Sequence, residues 1–97
     1  MTDSNLSEVL ALDRRLDLNA AANLQRALLA HDKPHLSLNA GAVSHLGALC
    51  LQLLLAAADD RRKRGASLAL SPRSSAFDAA LATFDVPLDR LQTGMTP

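Results

Sequence analysis

Asn39-Ala40-Gly41-Ala42-Val43-Ser44-His45-Leu46-Gly47-Ala48-Leu49-Cys50-Leu51-Gln52-Leu53-Leu54-Leu55 carries the change of pattern on which the fold depends. The segment leading into it, His35–Ala40, alternates strictly, with Leu36 and Leu38 on one face and Ser37 and Asn39 on the other. A period of two is the signature of a β-strand. Small residues then make a turn. Over Leu46–Arg64 the apolar spacing changes to three and four: Leu46, Leu49, Cys50, Leu53, Leu54 and Ala57 form a wide face that Leu51 and Leu55 widen further. A helix apolar over so much of its girth is expected to pack on more than one side. In an open α/β sheet such a strand-to-helix turn is where the backbone is free to meet a ligand or partner.

Working outward, the helix closes on Arg61-Arg62-Lys63-Arg64 and Gly65. Glycine supplies a left-handed cap, and cations complement the negative end of the helix dipole, so the four basic residues are expected to form a solvated helix end. A second use for them, binding an acidic partner or a phosphate, is the weaker reading. Ala66–Leu70 reads as a strand with Leu68 and Leu70 on one face, and Ser71-Pro72-Arg73 as a turn. Ser74 or Ser75 caps a helix over Ala76–Phe84, whose stripe is Phe77, Ala80, Leu81 and Phe84. Asp78 stands three residues after Ser75, as in a capping box. Pro87 opens a last short turn with Leu88 and Leu91.

Toward the other end, Pro34 stops the preceding helix, because the residue before a proline is pushed out of the helical region. That helix spans Ala20–Ala30, with Ala21, Leu24, Ala27 or Leu28 and His31 at spacings of three and four, and Asp17 or Asn19 as its cap. Asp13-Arg14-Arg15 reads as a polar turn and Ser7–Leu12 as a short strand. The order is strand, helix, strand, helix, strand, helix, which predicts an α/β fold with a mainly parallel sheet. Residues 1–6 and 92–97 are expected to be flexible ends of a single domain, 1–97.

Composition narrows the function classes. The chain has 97 residues, with two Phe, no Trp and no Tyr. A Leu/Ala/Val core forgoes the large burial that aromatics supply, so support from a partner or a homodimer is expected. Ten Lys and Arg balance ten Asp and Glu, which argues against a nucleic-acid footprint. The start, Met1-Thr2-Asp3-Ser4-Asn5, lacks the basic and apolar regions of a signal peptide. The longest apolar run is interrupted by Gln52 and falls far short of the roughly 20 residues that span a bilayer. A cytoplasmic protein without membrane insertion is expected.

Chemistry-bearing residues are sparse. Cys50 lies on an apolar helix face with no His in register, so a nucleophilic role is not expected. His31, His35, His45, Asp32 and Cys50 lack the spacing of a metal site; His31 and His35 straddle Pro34. Asp59 and Asp60 are adjacent on a helix and do not face each other. No catalytic residue, metal or cofactor is therefore expected. The best candidate is the turn itself, Ser44, His45, Leu46, Gly47, Ala48 and Leu49, as a partner-binding surface. Gly47 and Ala48 let another backbone approach, Leu46 and Leu49 offer apolar contact, and the helix start presents free N–H groups. Ser44 has two readings, a phosphosite or, more simply, a residue that caps the helix or ends the strand.

From Ser7 to Leu88 the chain resembles a STAS domain (sulphate transporter and anti-sigma-factor antagonist). The resemblance rests on Arg15-Leu16-Asp17 before the first helix, Leu36-Ser37-Leu38-Asn39 as the central strand, and Leu46-Gly47-Ala48-Leu49-Cys50-Leu51-Gln52-Leu53-Leu54 as the strand-to-helix segment. Arg64-Gly65-Ala66-Ser67-Leu68-Ala69-Leu70, Ser74-Ser75-Ala76-Phe77 and Phe84-Asp85-Val86 follow at family-like spacing. It implies a small mixed, mainly parallel sheet of about four strands with helices mostly on one face. Phosphorylatable members read approximately Asp-Ser-(Ser/Thr/Ala)-Gly-Leu-Gly here. Laid on this chain, the Asp falls at Gly47 and the phosphoacceptor at Ala48. Leu51 matches; Leu49, Cys50 and Gln52 depart. Ala48 has no hydroxyl, so the family's covalent switch does not carry over, and Ser44 is the nearest displaced candidate. The resemblance implies a non-catalytic regulatory module whose partner is an anti-sigma factor, a serine-kinase-like protein or a chemotaxis protein. The alternative is a structural subunit of a lipid-transport ABC complex.

Overall fold

The computed structural model describes residues 6–93. Three parallel strands, β1 (Ser7–Ala11), β3 (His35–Ala40) and β5 (Ser67–Arg73), form a sheet in the order β1-β3-β5. Leu10 pairs with Leu38, and Leu36 and Leu38 pair with Leu68 and Leu70. Strand alternation therefore places these leucines on one face, where Leu36, Leu38, Leu68 and Leu70 are buried. The crossover helices α1 (Leu18–Ala30) and α2 (Ala48–Arg64) pack against each other and cover that face. The opposite face carries Ser7, Val9, Ser37 and Ala69, and Val9 is 70% exposed. The alternation of strands and helices read from the sequence is the observed one. No helix among the described residues is long and apolar enough to cross a membrane.

The strand count differs from the expected single sheet of about four. A second sheet, two residues wide, pairs β2 (Arg15–Leu16) with β4 (His45–Leu46), also in parallel. Residues 13–15 are thus not simply a turn, and α2 begins at Ala48 rather than Leu46, with Gly47 as its N-cap. The periodicity misleads here because Leu46 is buried like the helical leucines after it, but it packs as a strand residue beside buried Leu16.

Cap chemistry is local and followed the sequence. Asp17 caps α1, its Oδ1 accepting from the N–H groups of Asn19 and Ala20 at 3.1 and 3.3 Å. Gly65 closes α2 at φ 72°, in the left-handed region. The last turn of α2 is a correction. Arg62, Lys63 and Arg64 are exposed, but Arg61 is 3% exposed and is no part of a solvated end. Its Nη1 donates to the carbonyls of Lys33 and Ser67 at 2.8 and 3.1 Å, and its Nη2 to that of His31 at 2.6 Å. The guanidinium thereby ties the exit of α1 to the start of β5.

β5 runs through Ser71-Pro72-Arg73, where a turn was expected, and Arg73 pairs with Ala40 across an irregularity in the ladder. Helix α3 (Ser75–Thr83) is capped by Ser74, whose Oγ accepts from Phe77 N–H at 3.0 Å. Asp78 is not half of a capping box with Ser75; it pairs with Arg73 Nε at 2.8 Å. Phe77 and Leu81 are buried, whereas Phe84 ends the helix 40% exposed. A 3-10 turn over Leu88–Arg90 then brings Leu91 into the core. Most of the ends expected to be flexible, 1–5 and 94–97, lies outside the described residues. Gln92 and Thr93, assigned to the flexible tail, are ordered against β5. Thr93 and Leu68 exchange backbone hydrogen bonds at 3.0 Å, and Gln92 Oε1 accepts from Leu70 N–H at 3.0 Å.

Candidate functional site

The turn from β3 to α2 sits at the C-terminal end of the parallel strands, the end at which open α/β sheets receive ligands and partners. Its shape is fixed by backbone bonds rather than by a rigid sequence. Asn39 Oδ1 accepts from Gly41 N–H at 2.9 Å, closing the first bend. Space at Gly41 is tight: a Cβ there would meet Pro72 Cγ at 3.1 Å and Asn39 Oδ1 at 3.2 Å. Val43 is buried, and its carbonyl accepts from the Ser74 hydroxyl. The Arg14 carbonyl then accepts from Ser44 N–H at 2.7 Å, from Ser44 Oγ at 3.0 Å and from His45 N–H at 3.2 Å. Gly47 N–H donates to the Leu16 carbonyl at 2.8 Å. The turn is clamped along its length to the segment between β1 and α1.

The six expected partner-binding residues divide. Ser44, His45, Ala48 and Leu49 are exposed, Leu49 by 42%, and Gly47 is half-buried between them. Leu46 is 4% exposed and belongs to the core, so it offers no apolar contact to a partner. Ser44 does not cap α2, since Gly47 holds that position; its hydroxyl is spent on the Arg14 carbonyl. Ala48, where the resemblance leads us to expect a degenerate phosphoacceptor position, opens the helix with a methyl group toward solvent. Gly47 brings no side-chain acceptor to the helix start, in contrast to Asp17 and Ser74 at the other two helices.

Sequence reasoning missed part of this surface. Pairing of β2 with β4 sets exposed Arg15 beside His45, and the Arg14 carbonyl bonds bring exposed Arg14 to Ser44. The starts of α1 and α2 also lie side by side: Cys50 Sγ donates to the Asp17 carbonyl at 3.4 Å. Leu18, the first residue of α1, is 76% exposed at this same end. The only signal in the sequence was a leucine outside the apolar stripe of its helix. The resulting patch has two arginines, one histidine and two exposed leucines around a small-residue floor, and its charge is balanced by exposed Asp13 and by Asp17, whose Oδ2 pairs with Arg15 Nε at 3.6 Å.

The remaining candidates lie elsewhere. Cys50 is 1% exposed; burial, followed by the nearby Asp17 and Asp13 carboxylates, pushes its thiol pKa up, which disfavours the nucleophilic thiolate. His31 Nδ1 meets the Ala27 carbonyl at 2.7 Å, and His35 Nδ1 meets Ser67 Oγ at 2.8 Å on the far side of the molecule. Among the described residues no three His, Cys, Asp or Glu side chains gather as a metal-holding cluster. Asp59 pairs with Arg62 and Asp60 with Arg64, as neighbours on a helix surface do. Comparison with protein-family models, with curated proteins and with solved structures finds no match to this chain.

Proposed function

We propose that this chain is a STAS-type, non-catalytic regulatory module that binds a protein partner through the β3-to-α2 turn. Ser44, His45, Gly47, Ala48 and Leu49 form the centre of that surface, and Arg14, Arg15 and Leu18 its border. The observation that carries the reading is the combination of a rigid turn with an uncharged, exposed floor. Backbone bonds to Arg14 and Leu16 hold the loop in one shape, so little ordering entropy is lost on binding. Gly47 and Ala48 keep the floor low, and exposed Leu49 and Leu18 supply apolar contact. The border balances Arg14 and Arg15 against Asp13 and Asp17, so shape and apolar contact carry the docking of a partner such as an anti-sigma factor, a serine-kinase-like protein or a chemotaxis protein. With no hydroxyl at Ala48, the module is constitutive or controlled through its partner, not by phosphorylation at this position.

Affinity capture from the native host tests this with wild type and Ala48→Arg, read by mass spectrometry. A long side chain at Ala48 projects into solvent and leaves the core untouched, so the thermal melt stays unchanged. The expected outcome is a kinase-like or signalling partner captured by wild type and lost with Ala48→Arg. Equal capture by both proteins refutes this surface. Capture of transporter permease and ATPase subunits refutes the regulatory assignment in favour of a structural subunit.

A further inference from the structure

The two edges of the main sheet are treated differently. The outer edge of β5 is closed by the chain itself, through Thr93 and Gln92. The outer edge of β1 has no pairing partner among the described residues. Leu6 C=O accepts from His35 N–H and Leu12 N–H donates to Asn39 C=O, both at 2.9 Å. In a parallel ladder alternate residues bond to the neighbour, so Leu6, Glu8, Leu10 and Leu12 face β3 and Ser7, Val9 and Ala11 face outward. The outward set is three N–H and three C=O groups in a straight row, since the β1–β3 register is unbroken. No proline, lysine or bulge stands in this strand, and its one charge, Glu8, points to the helix-covered face with Oε1 buried and away from the outward row. Val9 is 70% exposed at its centre.

We infer that β1 is a self-association edge, pairing antiparallel with β1 of a second copy of this chain about a twofold axis at Val9. That register opposes Val9 to Val9 and Ser7 to Ala11 of the other copy, and each opposed pair exchanges two N–H···O=C bonds. All outward groups of both strands are satisfied, and one six-stranded sheet results. The twofold also sets Glu8 opposite Leu10 instead of opposite its own copy. On the helix-covered face it sets Leu6 opposite Leu12. Beside Leu12 lies a groove of about 260 Å³ between β1 and α1, its apolar wall made by Leu10, Leu12, Leu16 and Leu24 and its polar lining by Asp13 and Asn23. Leu6, which is 49% exposed, is the side chain the register delivers there from the second copy. The self-complementary backbone row and this apolar fit favour a second copy over an unrelated peptide. The β3-to-α2 turn is not needed for the contact, so the inference stands apart from the proposed docking function.

Sedimentation equilibrium of the full chain, from micromolar to millimolar concentration, tests the inference together with amide exchange. The expected result is a mass that rises from 10.3 kDa toward twice that value, with Ser7, Val9 and Ala11 amides gaining protection as it rises. Val9→Lys puts two like charges face to face and raises the dissociation constant at least roughly tenfold. Val9→Pro deletes an outward N–H but no bond to β3 and gives the same loss, with an unchanged circular dichroism spectrum for both variants. A monomer at millimolar concentration overturns the inference. So does a dimer that Val9→Lys and Val9→Pro leave intact. Protection of the Val9 amide that does not depend on concentration also overturns it, because the edge is then filled from within one chain.

Discussion

Arg61→Met separates two accounts of the basic helix end. Methionine keeps the apolar stem of the side chain and removes the guanidinium. Wild type satisfies the carbonyls of His31, Lys33 and Ser67 at 2.6, 2.8 and 3.1 Å, with a longer contact of 3.5 Å to Pro34. Hydrogen bonds to a charged donor each contribute about 1.5–3 kcal/mol. Burying the guanidinium costs several kcal/mol in return, and that burial lowers its pKa. The net value of the arginine is therefore modest, but its removal is not. Three carbonyls lose their donor, at about 1–3 kcal/mol for each one that water cannot reach. His31 and Lys33 are half-buried, so water recovers part of the loss. We expect Arg61→Met to cost about 3 kcal/mol. For a domain of this size that lowers the melting temperature by about 12–24 °C. Arg61→Lys, which keeps a donor of poorer geometry, is expected to cost roughly half as much. Urea unfolding followed by circular dichroism measures both, at low and high salt. A solvated end acting only on the helix dipole is worth about 0.3–1 kcal/mol and is screened by salt. A loss for Arg61→Met of less than about 0.5 kcal/mol, or one that vanishes in high salt, refutes the clamp.

Two further predictions concern the frame of the site. Ser74→Ala removes the cap of α3 and the donor to the Val43 carbonyl together, and is expected to cost about 1–2 kcal/mol. Amide exchange of Ser44 and His45 should quicken in that variant, and unchanged exchange refutes the link between α3 and the turn. The Cys50 thiol is held above the ordinary value of 9.0 in the folded chain, so the folded state binds its proton more tightly than the unfolded state. The stability it contributes is complete below 9.0 and is lost as pH rises from there through the raised folded value. Urea unfolding in alkaline buffer should show wild type losing stability faster than Cys50→Ala, by up to about 1.4 kcal/mol per pH unit. Parallel slopes for the two proteins refute it.

The main sheet was legible because its signals are short in range. Strict alternation in His35–Ala40, the leucine pair at Leu68 and Leu70, and caps at Asp17 and Gly65 each act within a few residues, and the structure keeps all of them. The start of α2 was not legible. Leu46 continues a helical spacing, and only pairing with Arg15–Leu16, thirty residues earlier, makes it a strand. The same pairing assembled the candidate site, adding Arg14 and Arg15 to the exposed turn and withdrawing Leu46 from it.

By itself, then, the sequence determined an α/β chain with parallel strands, its crossover helices, and a small-residue turn at Gly47 and Ala48. Period and cap chemistry decide those features locally. Tertiary structure decided that Arg61 is a buried clamp, that Gln92 and Thr93 close one sheet edge, and that the β1 edge stays unpaired among the described residues. Each depends on which backbone carbonyl or N–H lies opposite, and the contacts that decide it, such as Arg61 with His31 and Gln92 with Leu70, join groups 30 and 22 residues apart that no local pattern records.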